Sequence, residues 1–335
     1  HLRMPRDFYE LAENAFFSAK GFSQHQRTHS GGPTETEMAE ALAELKPFVR
    51  HLRKHYRPES RGSTVNPGYT EQTAFAYLLA YVPKYIHQSM EVLERARLNM
   101  VGRDEKRVGF FCCGPCPEAV ALLEVFPGPE GRKQPNRFCL ELFDSGHEGW
   151  KAARDALLDL AFFGGPRDPQ VEETGWESTL SEPPGIHDFD ITEGLSPAHR
   201  QVVRRLDVAM FQNFNNELES APEAAAQTIE EIAKLLPLGS KLILSDLTDA
   251  MQSHERLLRP LSRYGQVGVP NHEYSHIPVG DGQRAWRNFE SIKSPGPTNG
   301  GYTRRFLLDG SEHCIPSTNV FLNYLVFERA SVPRS

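Results

Sequence analysis

The chain has 335 residues, 39% of them hydrophobic and 24% charged, which gives room for one large α/β domain or two smaller ones whose core needs no covalent staples. No window approaches the roughly 20 apolar residues of a membrane-spanning helix, so a helical membrane protein is excluded. Lys and Arg number 37 against 44 Asp and Glu, a net charge of −7, so a polyanion would have to be gripped by a local patch. Five cysteines is an odd count that cannot close into a full disulfide framework, and HLRMPRDFYELAENAF lacks the apolar stretch of a signal peptide. A reducing, cytoplasmic or organellar interior is expected.

Residues 1–100 read as helices. Thr34 and Glu37 have capping-box spacing, and Met38, Leu42, Leu45, Phe48, Val49 and Leu52 recur at helical intervals, with Pro47 expected to kink or divide the run. A Pro/Gly/Ser-rich break over 58–68 precedes a second helical run, Thr70 to Leu93, interrupted at Pro83. This region is expected to be an N-terminal helical cap that serves in substrate binding. From 101 to 330 short apolar runs alternate with amphipathic helices, as a doubly wound parallel sheet requires. Strands are predicted at 107–112, 137–143, 206–211 and 241–245, with helices Pro117–Phe126 and Gly149–Phe163 between them. Ile186–Asp190 is a candidate third strand, and 303–308 with 318–328 a terminal antiparallel pair.

Three features carry chemistry. The junction FFCCGPCPEAVALLEVF has the form strand, tight turn, helix: Gly114 permits close backbone approach, and the helix N-terminus offers unpaired N–H groups. The next strand ends in Asp144, where a doubly wound nucleotide-binding fold places the acid that holds ribose hydroxyls. Asp207-Val-Ala-Met-Phe211 then runs into a burst of polar residues, Gln212 to Glu217, at the carboxyl end of a buried strand.

With these residues in place the sequence resembles the class I S-adenosylmethionine-dependent methyltransferases over 107–328. GFFCCGPCPEA is similar to the glycine-rich first motif, LELFDSG to the ribose-binding acid, DVAMFQNFNNEL to the fourth-strand motif and LPLGSKLILSD to the fifth strand. The segment AFAYLLAYVPKYIHQSMEVL and the Asn216-Glu217-Leu218 ending resemble a narrower methyltransferase-like group associated with the ribosomal small subunit. The chain departs from the class where Phe110 stands in place of an acid and where Cys112 and Cys116 stand in place of glycines. The resemblance implies a Rossmann-like methyltransferase sheet with a terminal antiparallel pair. It implies S-adenosylmethionine as cofactor and a small-molecule or RNA acceptor. Gly114 and Pro115 would approach the methionine part, Asp144 the ribose, and Asp188 or Asp190 the adenine, with Asn213 also on the cofactor side. Asn215, Asn216 and Glu217 would face the acceptor, Asn216 and Glu217 as the catalytic pair with Glu217 the candidate base.

Other patterns compete for attention. Cys112, Cys113, Cys116 and Cys139 lack a second ligand pair at metal-binding spacing, so they are expected to be small buried thiols. His272-Glu-Tyr-Ser-His276 has the letters of a zinc-protease helix, but Pro270 and Pro278 leave no room for that helix. His272, His276 and Arg284 are instead candidates for a loop bordering the acceptor, and no metal is expected. His25 and His29 imitate a zinc-finger end without the cysteines. Arg50, Arg53, Lys54 and Arg57 fall on one helical face, a phosphate-tracking surface or, as expected here, a solvated one. The competing functional class is a non-catalytic, ribosome- or RNA-associated protein that keeps the fold.

Overall fold

Near-continuous apolar runs with polar residues mostly at their ends form strands buried on both faces, and that pattern builds the sheet here. The computed structural model describes residues 7–22, 33–55, 69–96, 98, 100, 105–126, 137–163, 180, 182–214, 221–246, 260–268, 275–279, 283–287, 289–293, 301–311, 314 and 319–330. The chain divides into two compact units. One comprises His1–His87, Gly146–Glu177 and Lys293–Asn319; the other comprises Gln88–Ser145, Ser178–Ile292 and Val320–Ser335.

The second unit holds the sheet. Its strands are β1 (Glu105–Phe111), β2 (Arg137–Asp144), β3 (Gly185–Asp188), β4 (Val208–Gln212), β5 (Lys241–Asp246), β6 (Gly265–Gly268), β7 (Ser275–Val279), β8 (Gln283–Arg287), β9 (Phe289–Lys293) and β10 (Asn319–Arg329). The order is β3-β2-β1-β4-β5-β10-β6, with β9 also on β10 and β7-β8 a separate hairpin. The first five strands are parallel in register, and β10 runs antiparallel to both β5 and β6. The chain order reverses between β1 and β4, the topological switch point beside which open α/β sheets bind ligands. Phe111 stacks on Phe143 at 4.2 Å and on Phe211 at 4.7 Å. This aromatic seam ties β1, β2 and β4 together in a core shared with Phe189, Phe214 and Leu206.

The terminal antiparallel arrangement is as expected, but its members differ. Residues 303–307 form a single π-type turn, not a strand, and β10 runs antiparallel between β5 and β6 instead. Buried Glu13 accepts from the Thr303 N–H at 2.6 Å, which satisfies a helix-end donor that a strand would have given to a neighbour.

The first unit is helical: α1 (Phe8–Ala19), α2 (Glu35–Ala43), α3 (Lys46–His55), α4 (Glu71–Ala80), most of α5 (Val82–Arg95) and α7 (His147–Phe163). The Thr34–Glu37 capping box starts α2, and the predicted break at Pro47 falls as a new helix with Pro47 in its first turn. α7 connects β2 to β3 in sequence, yet it packs with α1 and α4. Trp150 lies 4.0 Å from Tyr69, and Gly149 is backed so closely by the Tyr69 carbonyl that a Cβ would come within 2.0 Å of it. The compact units therefore do not follow a boundary at residue 100. The remaining helices, α6 (Pro117–Val125), α8 (Pro197–Val203) and α9 (Pro222–Leu235), belong with the sheet. Among the described residues no helix is long and apolar enough to cross a membrane.

Candidate functional site

The turn after β1 is forced into unusual backbone. Cys112, Gly114 and Cys116 have φ of 52°, 52° and 61°, and Asn213 at the end of β4 has φ 56°. Cys112, Cys116 and Asn213 are the non-glycine residues with positive φ among the described residues, and all three follow the two strands that flank the switch point. Each such residue costs on the order of 1–3 kcal/mol, a cost that concentrates at ligand sites.

The turn is tied to β2 at two points. The Cys112 N–H donates to the Phe143 carbonyl at 2.7 Å, and the Gly114 N–H donates to Asp144 Oδ2 at 2.8 Å. Gly114 and Asp144 are thereby brought together, with Pro115 next in the turn. Cys116 precedes α6 with no side-chain cap. Glu118 in the first turn of α6 is only 2% exposed, and its Oε2 has no hydrogen-bond partner among the described residues. Burial pushes its carboxyl up to about 8; its own N–H and the Cys116 thiol oppose this, while the charge of Asp144 adds to it. Glu118 is therefore neutral at pH 7, beside an acid bonded to the turn. Nothing in the sequence alone marks it beyond the ordinary acid of a helix start.

At the end of β4 the Asn213 N–H donates to the Ser245 carbonyl at 2.9 Å, and its side-chain amide exchanges hydrogen bonds with that of Gln88, both at 3.3 Å. Gln88 also donates to Ser245 Oγ at 3.2 Å, and the Ser89 hydroxyl donates to Gln212 Oε1. Gln88, Ser89 and Ser245 are fully buried and Asp246 nearly so. This polar network at the carboxyl ends of β4 and β5 takes two members from α5 that sequence reasoning missed. The signal available was an adjacent Gln-Ser pair within a helix whose Ile86, Val92 and Leu93 are core residues.

Third-strand pairing sets Asp188 opposite Asp144. Asp190 lies past the strand, and its Oδ1 accepts from the N–H and hydroxyl of Thr192 at 2.8 and 2.7 Å, so that oxygen closes a local turn. Asn215, Asn216, Glu217 and His272 lie outside the described residues. His276 and Arg284 do not sit in a loop: they belong to the β7–β8 hairpin, where His276 pairs with Trp286 and Pro278 with Arg284. A strand at Ser275 and His276 cannot present two histidines four apart on a helical face. Of the cysteines, Cys113, Cys116 and Cys139 are buried, and burial pushes the Cys116 thiol well up. The Cys139 thiol donates to Glu182 at 3.0 Å, with the Arg107 guanidinium 3.0 Å from its sulfur. Arg53 is not part of a solvated face, since its guanidinium lies 4.7 Å from the centre of the Tyr81 ring.

No family model matches the chain, and no curated protein sequence matches it. Solved structures do resemble it. An O-methyltransferase family protein from Burkholderia thailandensis is 11% identical, with 96% of this chain and 95% of that one covered and a TM-score of 0.44. A precorrin-6y C5,15-methyltransferase from Geobacter metallireducens is 9% identical over 72% and 88%, at 0.39. An rRNA methylase from Streptococcus thermophilus is 13% identical over 74% and 95%, at 0.34. These are likenesses of architecture, and what the site holds is read from its own residues.

Proposed function

We propose that the chain is an S-adenosylmethionine-dependent methyltransferase acting on a small-molecule or RNA acceptor. The observation that carries this reading is the pair of acids at the strand–turn–helix junction. A helix N-terminus beside a glycine turn ordinarily favours an anion such as a pyrophosphate. Here Asp144 already occupies the Gly114 N–H, and Glu118 is buried in the first turn of the same helix with an unpartnered oxygen. A dinucleotide would add negative charge to negative charge. A ribose-bearing cation fits, because it gives Asp144 hydroxyls to hold and gives Glu118 a positive group against which to ionise.

In this reading Gly114 and Pro115 lie along the methionine part, Asp144 takes the ribose hydroxyls, and Asp190 and Asn213 border the remainder. Glu118 supplies the carboxylate that faces the cationic part, a role that Phe110, fully buried in β1, cannot take. When bound, S-adenosylmethionine supplies a methyl group activated by its sulfonium. The protein's own work is to orient the acceptor through Asn215 and Asn216 and to accept its proton at the Glu217 carboxylate. His272, His276 and Arg284 are proposed as further acceptor contacts. The test is calorimetric titration with S-adenosylhomocysteine and, separately, NAD. Saturable binding of the first alone supports the reading; binding of NAD alone, or of neither, refutes it.

A further inference from the structure

Asn213 closes β4 in left-handed backbone, φ 56°, one residue beyond a strand that flanks the switch point. Its backbone N–H is spent on the Ser245 carbonyl, which ties the turn to β5. Its side chain is tied separately, from α5, the helix that precedes β1 in the chain. Gln88 and Asn213 meet edge to edge, each side-chain amide donating to the other at 3.3 Å. The other N–H of the Gln88 amide goes to Ser245 Oγ at 3.2 Å.

Gln88 and Ser245 are wholly buried, whereas Asn213 is half-buried at the end of its strand. Apolar side chains of the same shape would fill the buried positions at little cost in stability, so what the amides add is a fixed orientation. A reciprocal amide pair consumes one N–H and one lone pair on each partner. Asn213 keeps its second side-chain N–H, which has no partner among the described residues. A half-turn of that amide would set nitrogen against nitrogen and oxygen against oxygen, breaking both bonds to Gln88. Gln88, held as a donor by Ser245, thus selects one of two orientations that are nearly equal in shape.

We infer that Gln88 is a positioning residue: it acts through Asn213, holding that amide so that its second N–H serves an acceptor atom of the ligand at the switch point. The identity of that ligand, S-adenosylmethionine, rests on the methyltransferase reading; the coupling of Gln88 to Asn213 does not.

The full chain is compared with Gln88→Met, Asn213→Ala and the double variant. Nitrogen-15 relaxation of the Asn213 side-chain amide, identified by its loss in Asn213→Ala, needs no cofactor. That amide is as ordered as the backbone in the wild type and becomes mobile in Gln88→Met. Calorimetry with S-adenosylhomocysteine then shows affinity roughly tenfold lower in Gln88→Met and in Asn213→Ala, the scale of one hydrogen bond. The double variant loses no more than Asn213→Ala, because one residue works through the other. Gln88→Glu gives a second measurement if Gln88→Met does not fold. Its carboxyl keeps a donor and an acceptor only when protonated, so the Asn213 amide is ordered near pH 5 and mobile near about pH 8, with the wild type unchanged. An amide equally ordered in Gln88→Met, or in Gln88→Glu at both pH values, overturns the inference. So do additive losses in the double variant, or unchanged affinity in Gln88→Met beside a mobile amide, which would leave Gln88 a purely structural role. Absence of binding to the wild type refutes the methyltransferase reading and the ligand named here, while the order of the amide still decides whether Gln88 holds Asn213.

Discussion

Replacing Glu118 by Gln removes an ionisable group from a place that rejects its charge. An unfolded glutamate titrates near 4.5, whereas Glu118 in the folded chain titrates at about 8. Between these values the native state keeps a proton that the unfolded state has lost. Stability therefore falls as pH rises through the window and levels off above 8, where both states are ionised. The shift corresponds to about 5 kcal/mol at full ionisation, taking 1.36 kcal/mol per pH unit. Glu118→Gln has nothing to ionise. Its advantage over the wild type is absent near pH 4.5, grows through neutrality and approaches that figure at pH 9. Urea unfolding of both proteins at five pH values between 5 and 9 measures the difference, and taking the difference cancels every titration common to the two. Parallel stability curves would refute the burial argument. The same substitution separates the structural role from the functional one. If a cationic ligand re-ionises Glu118, binding of S-adenosylmethionine at pH 7 releases up to one proton, read from the buffer dependence of the calorimetric enthalpy, and the variant releases fewer. Equal proton release in both would leave Glu118 out of the site.

Asp144→Ala is expected to weaken S-adenosylhomocysteine binding by about 1.5–3 kcal/mol, the loss of a charge-assisted hydrogen bond, with calorimetry as the readout. Glu217→Gln should lower single-turnover methyl transfer roughly 10²-fold while leaving cofactor affinity nearly unchanged; a matching loss of affinity would move that residue to the cofactor side. Gln88→Ala strands the half-buried amide of Asn213 and the buried hydroxyl of Ser245, and should cost about 1–3 kcal/mol in urea unfolding. Gly149→Ala sets a methyl group against the Tyr69 carbonyl and should destabilise by about 1–3 kcal/mol, seen as a lower Tm, because the obstacle is backbone that cannot swing aside.

The parallel half of the sheet was legible because its strands are short apolar runs with a polar residue at each end, as in Arg137–Asp144, and because helical runs separate them. The junction at Gly114 and the acid at Asp144 were legible for a related reason, since ligand sites of such sheets lie where strands end. The region 303–308 failed as a strand because Thr-Arg-Arg-Phe-Leu-Leu is too short for periodicity to separate strand from helix, and a buried carboxylate 290 residues earlier decides the matter. The helix after β2 was found, but its place with α1 and α4 was not: its partners Tyr69 and Tyr77 are set by tertiary contact, which no local pattern encodes. Gln88 and Glu118 were missed for the same reason. Their importance comes from what faces them, Asn213 in one case and Asp144 in the other, far away in sequence.

The position of β10 also bears on how the chain is made. Residues 319–329 slot between β5 and β6, pairing Asn323–Glu328 with β5 and Val326–Arg329 with β6. While a ribosome is still adding residues 247–318, β5 has one edge without its neighbour. At about 5–20 residues per second that interval lasts several seconds. During it, Leu242, Ile243 and Leu244, which end wholly buried, belong to an open strand that any extended apolar segment could copy. Chain shortening before residue 319 would make the interval permanent, so the last strand both covers β5 and joins β6 and β9 to a parallel half already in place.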